Sequence, residues 1–259
     1  MLRVALLSII TCACNHAPAG TGTGGSGSGS GTITDGSAAP LMPGQLSIGG
    51  HAMTYEPFDS QHSTTLSTPP FDTQRTGSTM IVGVGRGVGS ALTPDERTPT
   101  DNEGNAPYAM AGDVEHWSLW PASSATIYTF SNMVGGPGDV VSIMAPATDE
   151  DTVLAVEVTN ATKISSVFVE QRTAPLTSMS ITTSGPAALI AYCWGDNDAD
   201  MRTAVPDGNF VVLDSIETQG ELVEGSVAGE IVNAAGTYDV TWTMTPPQGA
   251  LLWLIAVEP

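Results

Sequence analysis

The chain has 259 residues, with 27 acidic side chains against seven basic ones and a formal net charge of −20. Nucleic-acid binding draws on basic surface that releases counterions from phosphate, so this balance excludes nucleic acid and anionic membrane faces as partners. Only 13% of residues are charged and glycine is abundant, a composition of short strands and exposed turns rather than of a cytosolic helical protein.

The chain opens MLRVALLSIITCACNHAPAG. One positive charge, Arg3, precedes a short apolar run over residues 4–10, far below the roughly 20 residues a spanning helix needs. The run suits the apolar centre of a secretory signal. The segment resembles bacterial lipoprotein signals, with a small residue and then a lipid-accepting cysteine at Ala13-Cys14; Ile9-Ile10-Thr11-Cys12 is a second register, with Cys12 as acceptor. The resemblance implies an exported protein held in the cell envelope, or at the outer membrane, by a lipid anchor. The alternative is an ordinary signal cut near Ala17 or Ala19. A Cys-x-Cys metal pair lacks the partner cluster such a site needs.

Residues 20–32 are only Gly, Ser and Thr. Such a chain cannot bury apolar surface and behaves as a flexible coil. Over 15–43 it reaches roughly 30 Å. Gly22, Gly24 and Gly27 match G-x-G-x-x-G, but neither a strand precedes them nor a helix follows, so the dinucleotide reading falls. The expected organisation is a signal over 1–14, a linker over 15–43 and one β-domain over 44–259.

Strand signals follow at 79–84, 125–130, 140–144, 152–158, 176–182, 187–194, 210–216, 237–244 and 251–257, separated by Gly, Pro, Asn and Asp. Tyr238, Val240, Trp242 and Met244 alternate with polar residues, the mark of a strand with one wet side. Cys193 lies in the apolar run AALIAYCW and reads as a buried, inert thiol. Many short strands at roughly ten-residue spacing point to a sandwich.

The two halves, 77–158 and 185–258, echo each other. GSTMIVGVGRG parallels GPAALIAYCWGD; each is followed by a polar loop holding Gly-Asn (Gly104-Asn105, Gly208-Asn209). GPGDVVSIMAP parallels AGTYDVTWTMTP, and TVLAVEV parallels ALLWLIAVE. Asp139/Asp239, Met144/Met244 and Pro146/Pro246 recur at one fixed offset. Each half alone offers few strands to close a core, so the two together are expected to form one sandwich. This order of motifs, over about 63–258, resembles a jelly-roll module of exported bacterial proteins, found alone or appended to secreted enzymes and surface proteins. The resemblance implies an all-β, two-sheet jelly-roll-like sandwich and export, and no catalytic residues.

Motif chemistry is sparse. Neither H-E-x-x-H nor G-x-S-x-G occurs. His51 and His62 flank a loop-like stretch; Glu115 and His116 would point to opposite sides of a strand. In WGDNDADMRTAVPDGN, Asp196, Asp198 and Asp200 alternate and Asp207 takes a twelfth-ligand place, a possible calcium loop. Met201 stands where a helix-flanked calcium loop has Gly, and the alternative is a solvated acidic loop. Asp101, Asn102, Glu103 and Asn105 form a similar cluster in the first half. Trp117, Trp120 and Trp194 are candidate stacking platforms for a sugar; Trp242 and Trp253 read as core. The expected role is non-catalytic binding of a glycan or another surface component by a tethered sandwich. A secreted hydrolase or a structural envelope component are the alternatives. A His–carboxylate pair in a cleft would speak for an enzyme, and an exposed Trp face for a binder.

Overall fold

The computed structural model describes residues 45–57, 64–87, 98–145, 150–196, 203–216 and 223–259. Cys12, Cys14, His62, Asp198 and Asp200 lie outside them, as does the side chain of Asp196. The fold is all β. The first half carries β1 (Ser47–Glu56), β2 (Thr65–Ser67), β3 (Thr76–Arg86), β4 (Thr100–Asp101), β5 (Ala109–Met110), β6 (Glu115–His116), β7 (Ser124–Val134), β8 (Val141–Met144) and β9 (Asp151–Thr159). The second carries β10 (Lys163–Gln171), β11 (Leu176–Thr177), β12 (Ile181–Thr183), β13 (Ala187–Asp196), β14 (Thr203–Pro206), β15 (Val211–Ile216), β16 (Val223–Val232), β17 (Gly236–Tyr238), β18 (Thr241–Thr245) and β19 (Ala250–Glu258).

The internal echo is a repeat of topology. One large sheet runs β1-β9-β3-β7-β5, with β6 also on β7; the other runs β10-β19-β13-β16-β15. The small sheets correspond too, β2-β8-β4 and β11-β18-β14. Strand alternation distributes the side chains among three cores. Leu251, Trp253, Ile255 and Val257 of β19 join Ile81, Ile127, Leu154 and Val156 between the two large sheets. Leu252, Leu254 and Ala256 point the other way, onto Trp242 and Met244 of β18. In the first half Met80, Val82, Val153 and Ala155 pack likewise against Val141 and Ile143 of β8. The two large sheets therefore form the expected sandwich, and each also carries a small sheet on its outer face. Each half thus closes a core of its own, which strand counting from the sequence did not anticipate. Because β9 and β19 are covered on both faces, all nine residues of each are buried, and they read as near-continuous apolar runs.

The fixed offset of one hundred does not hold residue by residue. Thr68 donates its N–H to Val141 O and its hydroxyl accepts from Val141 N–H, at 2.9 and 3.1 Å; Ser178 does the same with Val240, at 2.9 and 3.1 Å. Val141 thus corresponds to Val240, one residue off the offset. A one-residue slip exchanges the faces of a strand, so Met144 is 53% exposed while Met244 is buried. Asp139 is buried and Asp239 exposed for the same reason.

Two expected strands are broken. The run 176–182 divides into β11 and β12, and 237–244 into β17 and β18. At the break the Ser178 hydroxyl occupies the Val240 N–H, and the ladder passes from one partner strand to another. Tyr238, Val240, Trp242 and Met244 keep to the core face across it.

Glycine brings the two large sheets together. A Cβ on Gly83 would lie 2.6 Å from Leu154 Cδ2 and 3.1 Å from Tyr192 Cε1; on Gly85 it would lie 2.1 Å from Trp194 Nε1. The GVGRG stretch is therefore a strand face shaped for the aromatics of the opposite half.

Candidate functional site

Two exposed large apolar side chains of the first half, Leu119 and Trp120, share one tight hairpin. Glu115 pairs with Ala125 and His116 with Ser124, so residues 117–123 must turn back on themselves. Trp117 N–H donates to Ser123 O (2.9 Å), Trp120 N–H to Trp117 O (3.0 Å) and Ser123 N–H to Trp120 O (2.8 Å). The last two are successive four-residue turns. Pro121 removes a donor that neither turn uses and fixes its φ.

Side chains lock this hairpin from below. The Trp117 ring is fully buried, and a Cβ on Gly249 would lie 2.5 Å from its Cη2. His116 Nδ1 lies 3.0 Å from Pro121 O; a carbonyl only accepts, so Nδ1 carries the proton. Ser118 donates both its N–H (3.3 Å) and its hydroxyl to Glu170 Oε1, on β10 of the other half. Arg172 Nε stands 3.5 Å from that same oxygen. Burial, and then the Asp113 carboxylate, push the Glu115 carboxyl up, with His116 pulling the other way.

On this base, residues 119–122 are all exposed, with Leu119 at 53% and Trp120 at 51%. An indole presented on a turn hydrogen-bonded at both ends has little freedom left to lose on binding, the advantage of preorganisation. Trp120 is thus open to solvent. Trp117 and Trp194 are not: both are fully buried in the core between the large sheets, where packing occupies their ring faces.

Asp101 and Asn102 of the first-half loop are committed to the protein itself, while Glu103 is exposed. Asp101 Oδ1 accepts from Asn105 N–H (2.8 Å), and Oδ2 from Asn105 Nδ2 (2.8 Å) and the Tyr108 hydroxyl (2.7 Å). Burial, with Asp101 alongside, drives the Tyr108 hydroxyl far up. Asn102 Nδ2 donates to Gly138 O (3.0 Å) and its Oδ1 accepts from Val140 N–H (2.8 Å). Asp207 takes the matching role in the second half, its Oδ1 accepting from Thr241 N–H at 2.8 Å. Gly104 and Gly208, the glycines of the two Gly-Asn pairs, both have positive φ, 84° and 68°. Among the described residues, no three His, Cys, Asp or Glu side chains converge as metal ligands.

A His–carboxylate pair does exist. His51 Nδ1 and Asp214 Oδ2 are 2.5 Å apart, with side chains 3% and 12% exposed. His51 sits on β1 and Asp214 on β15, so the pair ties the first half to the second. Across the molecule, Ser166 of β10 donates to Ala111 O at 2.9 Å, and Ser118 to Glu170 as above. Each half thus holds the edge of the other. Sequence reasoning passed over this pair because its members are 163 residues apart and belong to no local motif. A second buried pair, Arg86 and Asp151 (Nε–Oδ1 3.8 Å, both fully buried), lies at the ends of β3 and β9.

The fold and this site define an all-β sandwich protein with one preorganised, exposed aromatic turn. The chain matches no family model, no curated protein and no solved structure.

Proposed function

We propose that this is a non-catalytic binding protein of the exported, surface-tethered kind, which uses the 119–122 turn to hold a glycan. The observation that carries the reading is the half-exposed Trp120 on a hairpin pinned by its own backbone and by Glu170 of the other half. A pyranose ring has a flat C–H face that stacks on an indole. Covering about 100 Å² of apolar surface at about 25 cal/mol per Å² gives roughly 2.5 kcal/mol, a scale that suits weak, repeated contacts with a polymer. The acidic surface disfavours polyanions, so neutral polysaccharide is the expected class. The test is a pull-down panel of insoluble neutral polysaccharides: retention of the native chain and loss in Trp120→Ala support the reading, and equal retention of both refutes it.

A hydrolase is the competing reading, and the His51–Asp214 pair is what favours it. Burial of His51 weighs against it, because a general base must reach its substrate's proton. Turnover of a glycan or ester that His51→Gln abolishes would establish the hydrolase instead.

A further inference from the structure

Asp139 is a carboxylate that the hydrogen-bond network of the first half leaves poorly served. It is fully buried. Its Oδ2 accepts from the Thr73 hydroxyl at 3.3 Å, while its Oδ1 has no hydrogen-bond partner among the described residues. Its backbone cannot swing it out to water, because Asp139 N–H donates to Phe71 O (2.7 Å) and Phe71 N–H to Asp139 O (3.0 Å).

The groups around it make matters worse for a negative charge. The 100–108 segment presents Asp101 and Glu103, both of which act on Asp139 electrostatically, together with the neutral Tyr108 hydroxyl. The segment through Phe71 presents Asp72, whose Oδ1 accepts from Gly138 N–H at 3.0 Å, and the exposed Arg75. Among the described residues, no ion pair joins Asp139 to a base. Its counterpart in sequence, Asp239, is exposed and accepts from the Ser180 hydroxyl at 3.3 Å, so the arrangement belongs to the first half alone.

A buried, unpaired charge beside a like charge is neutralised by a cation or by a proton. Among the described residues, three metal ligands do not converge there, which favours the proton. We propose that Asp139 is a proton-binding site that tightens the first half in mild acid, holding the 102–105 turn and the 134–140 segment more firmly as the charge on its carboxyl is removed.

Both segments report on Asp139 through the network already described: Asn105 Nδ2 donates to Val134 O and its Oδ1 accepts from Val134 N–H, each at 2.8 Å, and Asn102 bridges Gly138 and Val140. Burial first, and then the Asp101 charge, push the Asp139 carboxyl up from 3.8 to about 6, with the Thr73 hydroxyl and the Val140 amide pulling the other way and Glu103 adding to the rise. For an acid raised in the folded state, the stabilisation is fully present below the unfolded value. It is lost as pH rises through about 6.

The test compares urea unfolding of the native chain and Asp139→Asn at pH 8 and pH 4.5, beside a carboxyl-carbon NMR titration of the native chain. On going to pH 4.5 the native chain should gain about thirtyfold in its folding constant relative to Asp139→Asn, and the Asp139 carboxyl should titrate near 6. Equal pH responses in the two proteins, or an Asp139 midpoint at or below about 4, would overturn the proposal. If Asp139→Asn does not fold, the NMR midpoint decides alone. Millimolar calcium at pH 8 should leave the native chain unchanged; a calcium-induced stabilisation absent from Asp139→Asn would overturn the proposal in favour of a metal.

Discussion

Adding one methyl group at Gly85 should unsettle the contact between the two halves. An alanine Cβ there would lie 2.1 Å from Trp194 Nε1, 2.6 Å from Trp194 Cε2 and 2.6 Å from Thr152 Oγ1. Trp194 cannot retreat, since it is fully buried among Tyr192, Leu251 and Trp253. Overpacking of this kind costs about 1–3 kcal/mol. The displaced indole also gives up its N–H bond to Thr152 Oγ1, 3.1 Å long, and a buried donor left unsatisfied costs about 1–3 kcal/mol more. Lower entropy of the unfolded chain returns about 0.4–1 kcal/mol. The net loss is about 2–4 kcal/mol, or about 5–15 °C in Tm for a domain of this size. Calorimetry and urea titration of Gly85→Ala, Trp194→Phe and the double variant provide the assay. Phe lacks the ring nitrogen that the new Cβ strikes, so the double variant should lose less than the sum of the singles. A Gly85→Ala protein as stable as the native one, or strictly additive losses, would refute the reasoning.

Removing the His51 ring should destabilise the fold by about 2–4 kcal/mol, because Asp214 loses a short charge-assisted bond in a largely buried place; urea unfolding of His51→Ala checks this. Trp120→Ala should leave stability within about 0.5 kcal/mol, as for other exposed side chains, which calorimetry can confirm. The Glu258 carboxyl is held down at about 2 by Lys163 Nζ at 2.6 Å, and by the Ser184 hydroxyl and N–H. Its contribution is present above the ordinary glutamate value and is lost as pH falls through about 2; in Lys163→Met the Glu258 midpoint, read by NMR, should move up. The proton site at Asp139 predicts the opposite trend between pH 8 and 4.5, so stability in mild acid should hold better than in most acidic proteins.

What could be read from the sequence follows from what each strand touches. The runs at β9 and β19 stand out because both faces are covered and every residue is buried. β1 escapes notice because Gly49-Gly50 looks like a loop. It is a bulge, where the register with β9 shifts between Ile48 and His51 and Gly50 N–H donates to the buried Glu157 carboxylate at 3.2 Å. β16 hides for a related reason: Gly225 and Gly229 leave room for Met53 and Ile48 across the interface, so the strand lacks the large residues that mark one. β10 is legible only from its context, since its Ser166 and Glu170 side chains reach over to the first half. Of the three candidate tryptophans, only Trp120 is exposed. Trp117 sits three residues away, but the first turn of the hairpin sends one ring into the core and the other to water, and linear spacing does not encode that geometry. The Gly-Asn echo was informative because positive φ favours glycine wherever it recurs.

The most direct measurement is a nitrogen-15 NMR titration of the five indole N–H signals with a soluble neutral oligosaccharide from whichever polysaccharide retains the protein. Trp117, Trp194 and Trp242 are fully buried and Trp253 is 2% exposed. The account predicts that the Trp120 signal alone shifts in a saturable way while the oligosaccharide remains uncleaved. A saturable shift of another indole with Trp120 unmoved, or cleavage of the sugar during the titration, would contradict it.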